Sequence, residues 1–296
     1  MKNITKTNKT QLFIITSNYK YFFELNRALK RLKIRFKIVA FNDPLPNPPS
    51  LILTTSEEVQ KIKNLKKEHI VLPFDDSKED FDKYVFDILK IYNCGAEIHS
   101  QLLFSIDPGD TIGLAVFLDG TFFYSQTFFA KTNLISNIKK CVEKIDEEDH
   151  KNEIQLLFKV GRGVLPLTLE LINTIYDTFY KKESLIVNIV NESKSSKVKF
   201  QKFFTNFSKH EISALILALR KGIKVNKHTY HNFFELRRNK EIKERLEKEL
   251  DEISFLMKEQ ELLKSLLFDL VHCRITLDDA FKIIEEKKAV STLTYD

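Results

Sequence analysis

The sequence predicts an α/β protein with a mixed sheet in its central part. Short apolar runs bounded by turn residues alternate with amphipathic segments. An Asp-Gly pair stands between two β-prone runs, which is a strong hairpin signal, and polar residues follow several predicted strands. We expect a small N-terminal α/β domain in residues 1–95, a central α/β domain in residues 96–225 and an α-helical C-terminal extension in residues 226–296.

Composition indicates a soluble, intracellular, globular protein. Of its 296 residues 43% are hydrophobic and 30% are charged, which favours folded domains with real cores over disorder. No apolar run approaches the length of a membrane span, and the N-terminus lacks the apolar core of a signal peptide. We therefore expect a cytoplasmic protein with no membrane partner. Cys94, Cys141 and Cys273 have no metal-ligand spacing and are expected to be reduced core residues.

Positive charge is concentrated in one part of the chain. The net charge is +6, but residues 197–248 hold fourteen Lys and Arg against five Glu. Such a concentration favours a polyanionic partner over a neutral one.

The N-terminal domain reads as a parallel sheet covered by helices. Strands are predicted at residues 12–16, 34–41, 51–53 and 70–73, with helices at 21–32, 57–66 and 81–92. It has no Gly-rich phosphate loop. The acidic residues between 75 and 80 either bind a cation or form a solvated helix start. We expect a docking or scaffold module rather than a catalytic one.

The central domain begins with the stretch that organises our interpretation. Leu102 to Ile106 and Ile112 to Leu118 are predicted strands, and Asp119-Gly120 is the hairpin turn before a third strand. Asp107 should therefore end a buried strand with its carboxylate just outside the sheet. The alternative is that Asp107-Pro-Gly is only a turn.

Further elements follow in the order helix, strand, helix, strand, helix. They are predicted at residues 133–147, 153–160, 167–179, 185–190 and 209–222. In an open α/β sheet the functional crevice lies beyond the carboxyl ends of strands. Asp107, Lys159 to Arg162, and Glu192 should be delivered there.

The order of these elements and the residues at their ends resemble the RNase H-like fold, specifically the RuvC Holliday-junction resolvases and the YqgF family, over residues 99–223. The similar segments are Asp107-Pro-Gly with Gly113-Leu-Ala, Val160-Gly161 with Pro166-Leu-Thr168, Asn191-Glu-Ser-Lys-Ser-Ser196, and His210-Glu-Ile-Ser-Ala-Leu215.

Three departures from the family pattern stand beside this resemblance. Ser213 replaces an aspartate of the closing helix, and Ser193 replaces the arginine of the Asp-Glu-Arg triplet. The fourth strand ends in Lys159-Val-Gly161 and carries no acid where the resolvases place a glutamate.

The resemblance implies a phosphodiester hydrolase that uses Mg²⁺ or Mn²⁺. Asp107, Glu192 and His210 are the implied metal ligands and catalytic residues, with Glu211 as a substitute ligand. For His210 the alternative is a helix-start residue packed on the aromatic segment before it. For Glu211 it is a solvated partner of the helix dipole.

Basic and aromatic residues complete the expected nucleic-acid surface. We predict phosphate contacts from Lys159, Arg162, Lys194, Lys197, Lys227, Arg237 and Arg238, the alternative being solvated loop charge. Phe200, Phe203, Phe204 and Phe207 recur at helical spacing, which predicts a core face first and base-stacking platforms second.

The sequence therefore predicts a RuvC/YqgF-type nuclease acting on structured nucleic acid, with branched DNA such as a Holliday junction favoured and RNA possible. The alternatives are a catalytically impaired binding or scaffold protein and an rRNA-processing nuclease. An ATP-handling enzyme on a related fold would need two Gly-rich phosphate hairpins, and one is visible. The amphipathic segment 240–258 and the apolar residues of 262–271 favour a homodimer formed through the C-terminal helices.

Overall fold

The structure is a computed structural model that describes residues 11–45, 47, 49–95, 99–148, 154–192, 204–227 and 259–293. The chain divides into two compact units, Met1–Glu97 (unit 1) and Ile98–Asp296 (unit 2). Both the predicted central domain and the helices that follow it fall in unit 2. None of the described helices combines the length and apolar character that a membrane span requires.

Unit 1 contains a parallel sheet with the strand order β2-β1-β3-β4, as its alternating pattern predicted. Leu12 to Ile14 and Leu51 to Leu53 are buried in this sheet. Its elements are β1 Gln11–Ile14, α1 Tyr19–Arg31, β2 Lys37–Ile38, β3 Ser50–Thr55, β4 His69–Phe74 and α2 Phe81–Asn93.

Two predictions for unit 1 are wrong. The helix expected at 57–66 is a turn with a single 3-10 segment, Val59–Lys61. The Glu58 carboxylate explains this, because it accepts hydrogen bonds from Ser17 N–H at 2.8 Å and from the Thr55 hydroxyl at 3.0 Å. These bonds tie the segment to the ends of β1 and β3 instead of to a helix. The strand expected at 34–41 pairs only through Lys37–Ile38.

Unit 2 is built on a six-stranded mixed sheet with the order β10-β9-β8-β5-β6-β7. Strands β5, β6 and β7 are antiparallel, whereas β8 and β9 run parallel to β5. This is the mixed sheet that the sequence predicted for the central domain. Its elements are β5 Gln101–Asp107, β6 Ile112–Leu118, β7 Thr121–Phe128, α3 Lys131–Glu148, β8 Gln155–Gly161, α4 Leu165–Thr178, β9 Leu185–Val190, α5 Lys209–Ala218, β10 Ile223–Val225, α6 Gln260–Val271 and α7 Leu277–Leu293.

The predicted hairpin turn between β6 and β7 is confirmed. Asp119 and Gly120 have φ angles of 46° and 75°, the left-handed backbone that such a turn requires. The Asp119 carboxylate also accepts the backbone N–H groups of Ser100 at 3.0 Å and Gln101 at 2.9 Å. The turn therefore holds the start of β5 as well as joining its own strands.

Helices cover both faces of this sheet. On one face, α5, α6 and α7 share a core with Leu103 and Phe117 of the strands. On the other, the ring of Phe158 stacks on Phe104 at a centroid distance of 5.0 Å and contacts Phe179 after α4. Leu263, Leu266, Leu267, Leu270 and Val271 of α6 are buried in this core, whereas Phe268 is exposed. The homodimer through the C-terminal helices stays a prediction. The segment 240–258 lies outside the described residues.

The closing helix is shorter than predicted. Helix α5 ends at Ala218, and Ile223–Val225 forms an antiparallel edge strand on β9. Phe204 is buried and Phe207 packs on the same core, so for these two residues core packing is the correct interpretation. Phe200 and Phe203 lie outside the described residues.

Candidate functional site

Asp107 and His210 meet at the end of β5. Asp107 is paired in register with Gly113 of β6, and His210 is the second residue of α5. A Cβ at Gly113 would lie 2.0 Å from the backbone oxygen of His210, so only glycine admits the helix here. The approach leaves Nδ1 of His210 3.5 Å from Oδ2 of Asp107.

Burial changes the protonation of both groups. The Asp107 side chain is 13% exposed, and desolvation raises the pKa of its carboxyl to about 7, against a smaller lowering by the nearby charge of Lys209. Burial, together with Lys209, lowers the pKa of His210. At neutral pH the imidazole is therefore neutral and can accept a proton or bind a metal ion.

Glu192 reaches the same region by crossing the end of a neighbouring strand. It follows β9, and β8 lies between β9 and β5. A Cβ at Gly161 would lie 1.8 Å from Oε1 of Glu192, and one at Gly163 would lie 1.9 Å from its Oε2. The carboxylate thus occupies the space that side chains at the end of β8 would otherwise fill.

The surroundings of Glu192 place it near Asp107. The pKa of Glu192 is raised to about 7, mainly by desolvation and in smaller part by the charge of Asp107. A hydrogen bond from the Gly163 backbone and the charges of Arg220 and Arg162 act in the opposite direction. Buried Arg220 also donates from Nη1 to the carbonyl of Asn191 at 2.5 Å, which fixes the backbone just before Glu192.

Glu211 is placed differently from the prediction. It is 4% exposed and forms a capping box with Ser208 at the start of α5. Its Oε1 accepts the Ser125 hydroxyl at 2.9 Å and its Oε2 accepts the Ser208 N–H at 2.8 Å. Both carboxylate oxygens of Glu211 therefore hold the start of the helix. Glu211 is a buried capping residue, and neither the predicted substitute ligand nor the solvated partner of the helix dipole describes it.

Lys159 is also placed differently. It is 6% exposed, and its ammonium donates to the carbonyls of Ala218 at 2.6 Å and Arg220 at 2.8 Å at the end of α5. Burial lowers the pKa of Lys159 to about 8. The prediction of a phosphate contact from Lys159 is therefore wrong, because β8 turns this side chain toward the helix that covers the sheet.

The remaining predicted nucleic-acid contacts divide into two groups. Arg162 is partly exposed beside Glu192, and Lys227 is exposed and paired with Asp177 at 3.3 Å. Lys194, Lys197, Arg237 and Arg238 lie outside the described residues.

Sequence reasoning missed several residues that shape this site. Arg220 fixes the strand end, and Lys209 acts on both Asp107 and His210. Gly113 and Gly161 stood in the quoted motifs, but their role and that of Gly163 in admitting His210 and Glu192 was not predicted. The available signal was that several of the chain's only seven glycines stand at the ends of predicted strands. Nothing in the sequence alone showed which side chains needed that space.

Asp107, Glu192 and His210 offer donors of the kind that bind hard divalent cations. Within the described ranges, no three His, Cys, Asp or Glu side chains form a group that would hold a metal ion by themselves. Mg²⁺ is commonly bound by one or two carboxylates, with phosphate oxygens and waters completing its coordination. Asp107 and Glu192 can supply those carboxylates, and the imidazole of His210 is a donor that Mn²⁺ also accepts.

Comparisons with known proteins give only distant likenesses. No family model and no curated protein matches the chain. Among solved structures, Marinitoga piezophila Argonaute with a 5′ OH guide RNA is 15% identical at a TM-score of 0.27, covering 62% of this chain and 40% of that one. Drosophila Piwi is 12% identical with a TM-score of 0.25, and A. aeolicus Argonaute is 10% identical with a TM-score of 0.22. Each of these two matches covers 62% of this chain and 34% of the other protein. The chain thus spans 34–40% of the length of these proteins.

Proposed function

We propose that this protein is a metal-dependent nuclease of the RuvC/YqgF type that acts on structured nucleic acid. The observation that supports this most directly is the 3.5 Å approach of His210 to Asp107 at a strand end toward which Glu192 extends across β8. Two buried carboxylates beside a neutral imidazole are suited to phosphodiester hydrolysis with a divalent cation. Branched DNA is the favoured substrate, with structured RNA second.

Each side chain has a distinct part in this proposal. Asp107 and Glu192 would hold a divalent cation, which when bound supplies charge stabilisation for the transferring phosphate and activates a water molecule. The pKa of both carboxyl groups is about 7 because they are buried, and a cation would replace the proton they retain. His210 positions the attacking water and accepts its proton at Nδ1, which the lowered pKa keeps available.

Charge near the site favours a phosphate backbone. Lys209 is exposed in the first turn of α5, and Arg162 is partly exposed after β8. The N-terminus of α5 adds the positive end of a ten-residue helix. These groups, in place of the buried Lys159, would hold the substrate next to Asp107.

Cleavage of a four-way DNA junction and of a structured RNA in Mg²⁺ or Mn²⁺ tests this function. We expect Asp107→Asn and Glu192→Gln each to reduce cleavage at least 100-fold. Asp110→Asn is the matched control, because Asp110 is an exposed carboxylate three residues away, and it should retain activity. Metal-dependent cleavage that Asp107→Asn leaves intact would overturn the assignment.

A second candidate function is nucleic-acid binding without cleavage. The residue at the end of β8 favours it, because Gly161 stands where the resolvases that the chain resembles carry an acid. On this alternative both substrates bind with an affinity that falls as salt rises, and neither is cut in either metal.

A further inference from the structure

A cavity of about 640 Å³ lies within unit 1 and has no part in the site described above. The first residues of β1 form one side of it. The segment between α1 and β2, from Ile34 to Lys37, forms a second side, and Lys30 and Tyr92 lie at the ends of the two helices. Its volume is in the range of small-molecule binding sites.

The charged residues around this cavity all have one sign. Lys30, Arg35 and Lys37 are exposed, and no Asp or Glu stands among the described residues that line the cavity. A concave surface that combines three cations with no carboxylate among its lining residues attracts an anion. The ten residues that precede Gln11 contain three lysines and no acid, so charge does not favour them as the occupant.

The walls of the cavity are apolar and partly aromatic. Phe13 is buried, and Phe36 and Tyr92 are half-buried. Leu12 and Ile34 complete this surface. A small inorganic anion would use the cations and leave these walls uncovered. A ligand that carries a flat apolar ring together with a phosphate would use both.

We propose that this cavity binds a nucleotide unit, with its phosphate near Lys30, Arg35 and Lys37 and its base against Phe36 and Tyr92. The inference rests on the proposed nucleic-acid partner but not on cleavage, because every residue involved belongs to unit 1. The same chemistry comes from a free mononucleotide or from one residue of a single strand, so the experiment must separate these sources.

Binding of AMP, a short single-stranded oligonucleotide and inorganic phosphate to the full chain tests the proposal. We expect Arg35→Glu combined with Lys37→Glu to weaken oligonucleotide binding at least tenfold and to reduce its salt dependence. Lys63→Glu with Lys67→Glu is the matched control, because both are exposed lysines of unit 1 outside this lining, and it should change affinity less than twofold. Tyr92→Leu should weaken the binding of AMP and of the oligonucleotide at least fivefold, whereas Tyr92→Phe should leave both affinities unchanged.

The three probes separate the outcomes. If Arg35→Glu with Lys37→Glu loses affinity for both AMP and the oligonucleotide, the cavity is a mononucleotide site. If this variant loses affinity for the oligonucleotide alone, the cavity binds one residue of a strand. Phosphate binding as tight as AMP binding, or equal affinities of the charge-reversed and control variants, would overturn the proposal, as would failure of both nucleotides to bind the unaltered chain. These affinities are measured without a divalent cation and do not depend on cleavage, so a chain that binds AMP through Arg35 and Lys37 but cuts neither substrate would refute only the nuclease proposal.

Discussion

The carboxylate of Glu192 occupies the space that a side chain at position 161 would need, and the residue at that position is glycine. Oε1 of Glu192 is 1.8 Å from the position that a Cβ at Gly161 would take. Because β8 separates β9 from β5, this space is the route by which Glu192 extends toward Asp107. The last residues of β8, Lys159-Val-Gly161, carry no acid, and the carboxylate of Glu192, which follows β9, fills the space beside Gly161.

Replacing Gly161 with alanine tests this relationship. The clash is with the far end of a flexible side chain, so Glu192 can rotate away at little loss of stability, and we expect unfolding free energy to fall by about 1 kcal/mol or less. Cleavage or Mn²⁺ affinity should fall at least tenfold. Gly109→Ala is the control, because its nearest neighbour would be the Thr111 carbonyl at an ordinary 3.4 Å. An unchanged Mn²⁺ affinity and cleavage rate in Gly161→Ala would contradict the role of Glu192.

Replacing Gly113 with alanine should lower the stability of the fold more than Gly161→Ala does. The added Cβ would meet the backbone oxygen of His210 at 2.0 Å and its carbonyl carbon at 2.4 Å. Backbone cannot rotate away, so the start of α5 must shift, and we expect a loss of about 1–3 kcal/mol in unfolding free energy. Denaturant titration measures this. A stability equal to that of Gly161→Ala would mean that α5 does not approach β6 as closely as the structure shows.

Substitution of Glu211 separates its capping role from catalysis. Glu211→Ala removes the acceptor for Ser125 and half of the capping box, and we expect a loss of about 1–2 kcal/mol in stability. The cleavage rate of the folded protein should change less than threefold. A large drop in rate with unchanged stability would instead restore Glu211 as a ligand.

Lys159 gives a prediction for the pH dependence of stability. Its pKa is about 8 in the folded protein, below the usual 10.5, so the unfolded chain binds more protons between these values. The contribution of Lys159 to stability should therefore rise as pH increases from 8 to 10.5, by up to about 3 kcal/mol. It should be lost as pH falls through 8.

The measurement is the difference in unfolding free energy between the unaltered chain and Lys159→Met, taken from pH 7 to pH 10.5. The difference cancels the titration of other lysines and of tyrosines. Lys67→Met, at an exposed position, should give a difference that is flat over this range. A flat difference for Lys159→Met as well would show that its ammonium is not buried at the end of α5.

The sequence by itself determined the order of elements from β5 to α5 and the place of the hairpin in unit 2, but not the edge strand β10. Apolar runs of strand length and the Asp119-Gly120 pair indicate local backbone preferences, which do not depend on contacts with distant parts of the chain. The same reasoning placed Asp107 at a strand end and a helix start at Ser208 to His210. It failed at residues 57–66, where hydrogen bonds to Glu58 from the distant Ser17 and the nearby Thr55 decide the local structure.

Tertiary structure alone decided which polar side chains face the site. Lys159 and Glu211 stand at positions that sequence assigned to the crevice, yet both point into the interface between the sheet and α5, where helix ends need donors and acceptors. That His210 approaches Gly113 and Glu192 approaches Gly161 became known only from the structure. Side-chain direction and close approach depend on register and helix packing across the sheet, which a linear pattern does not contain.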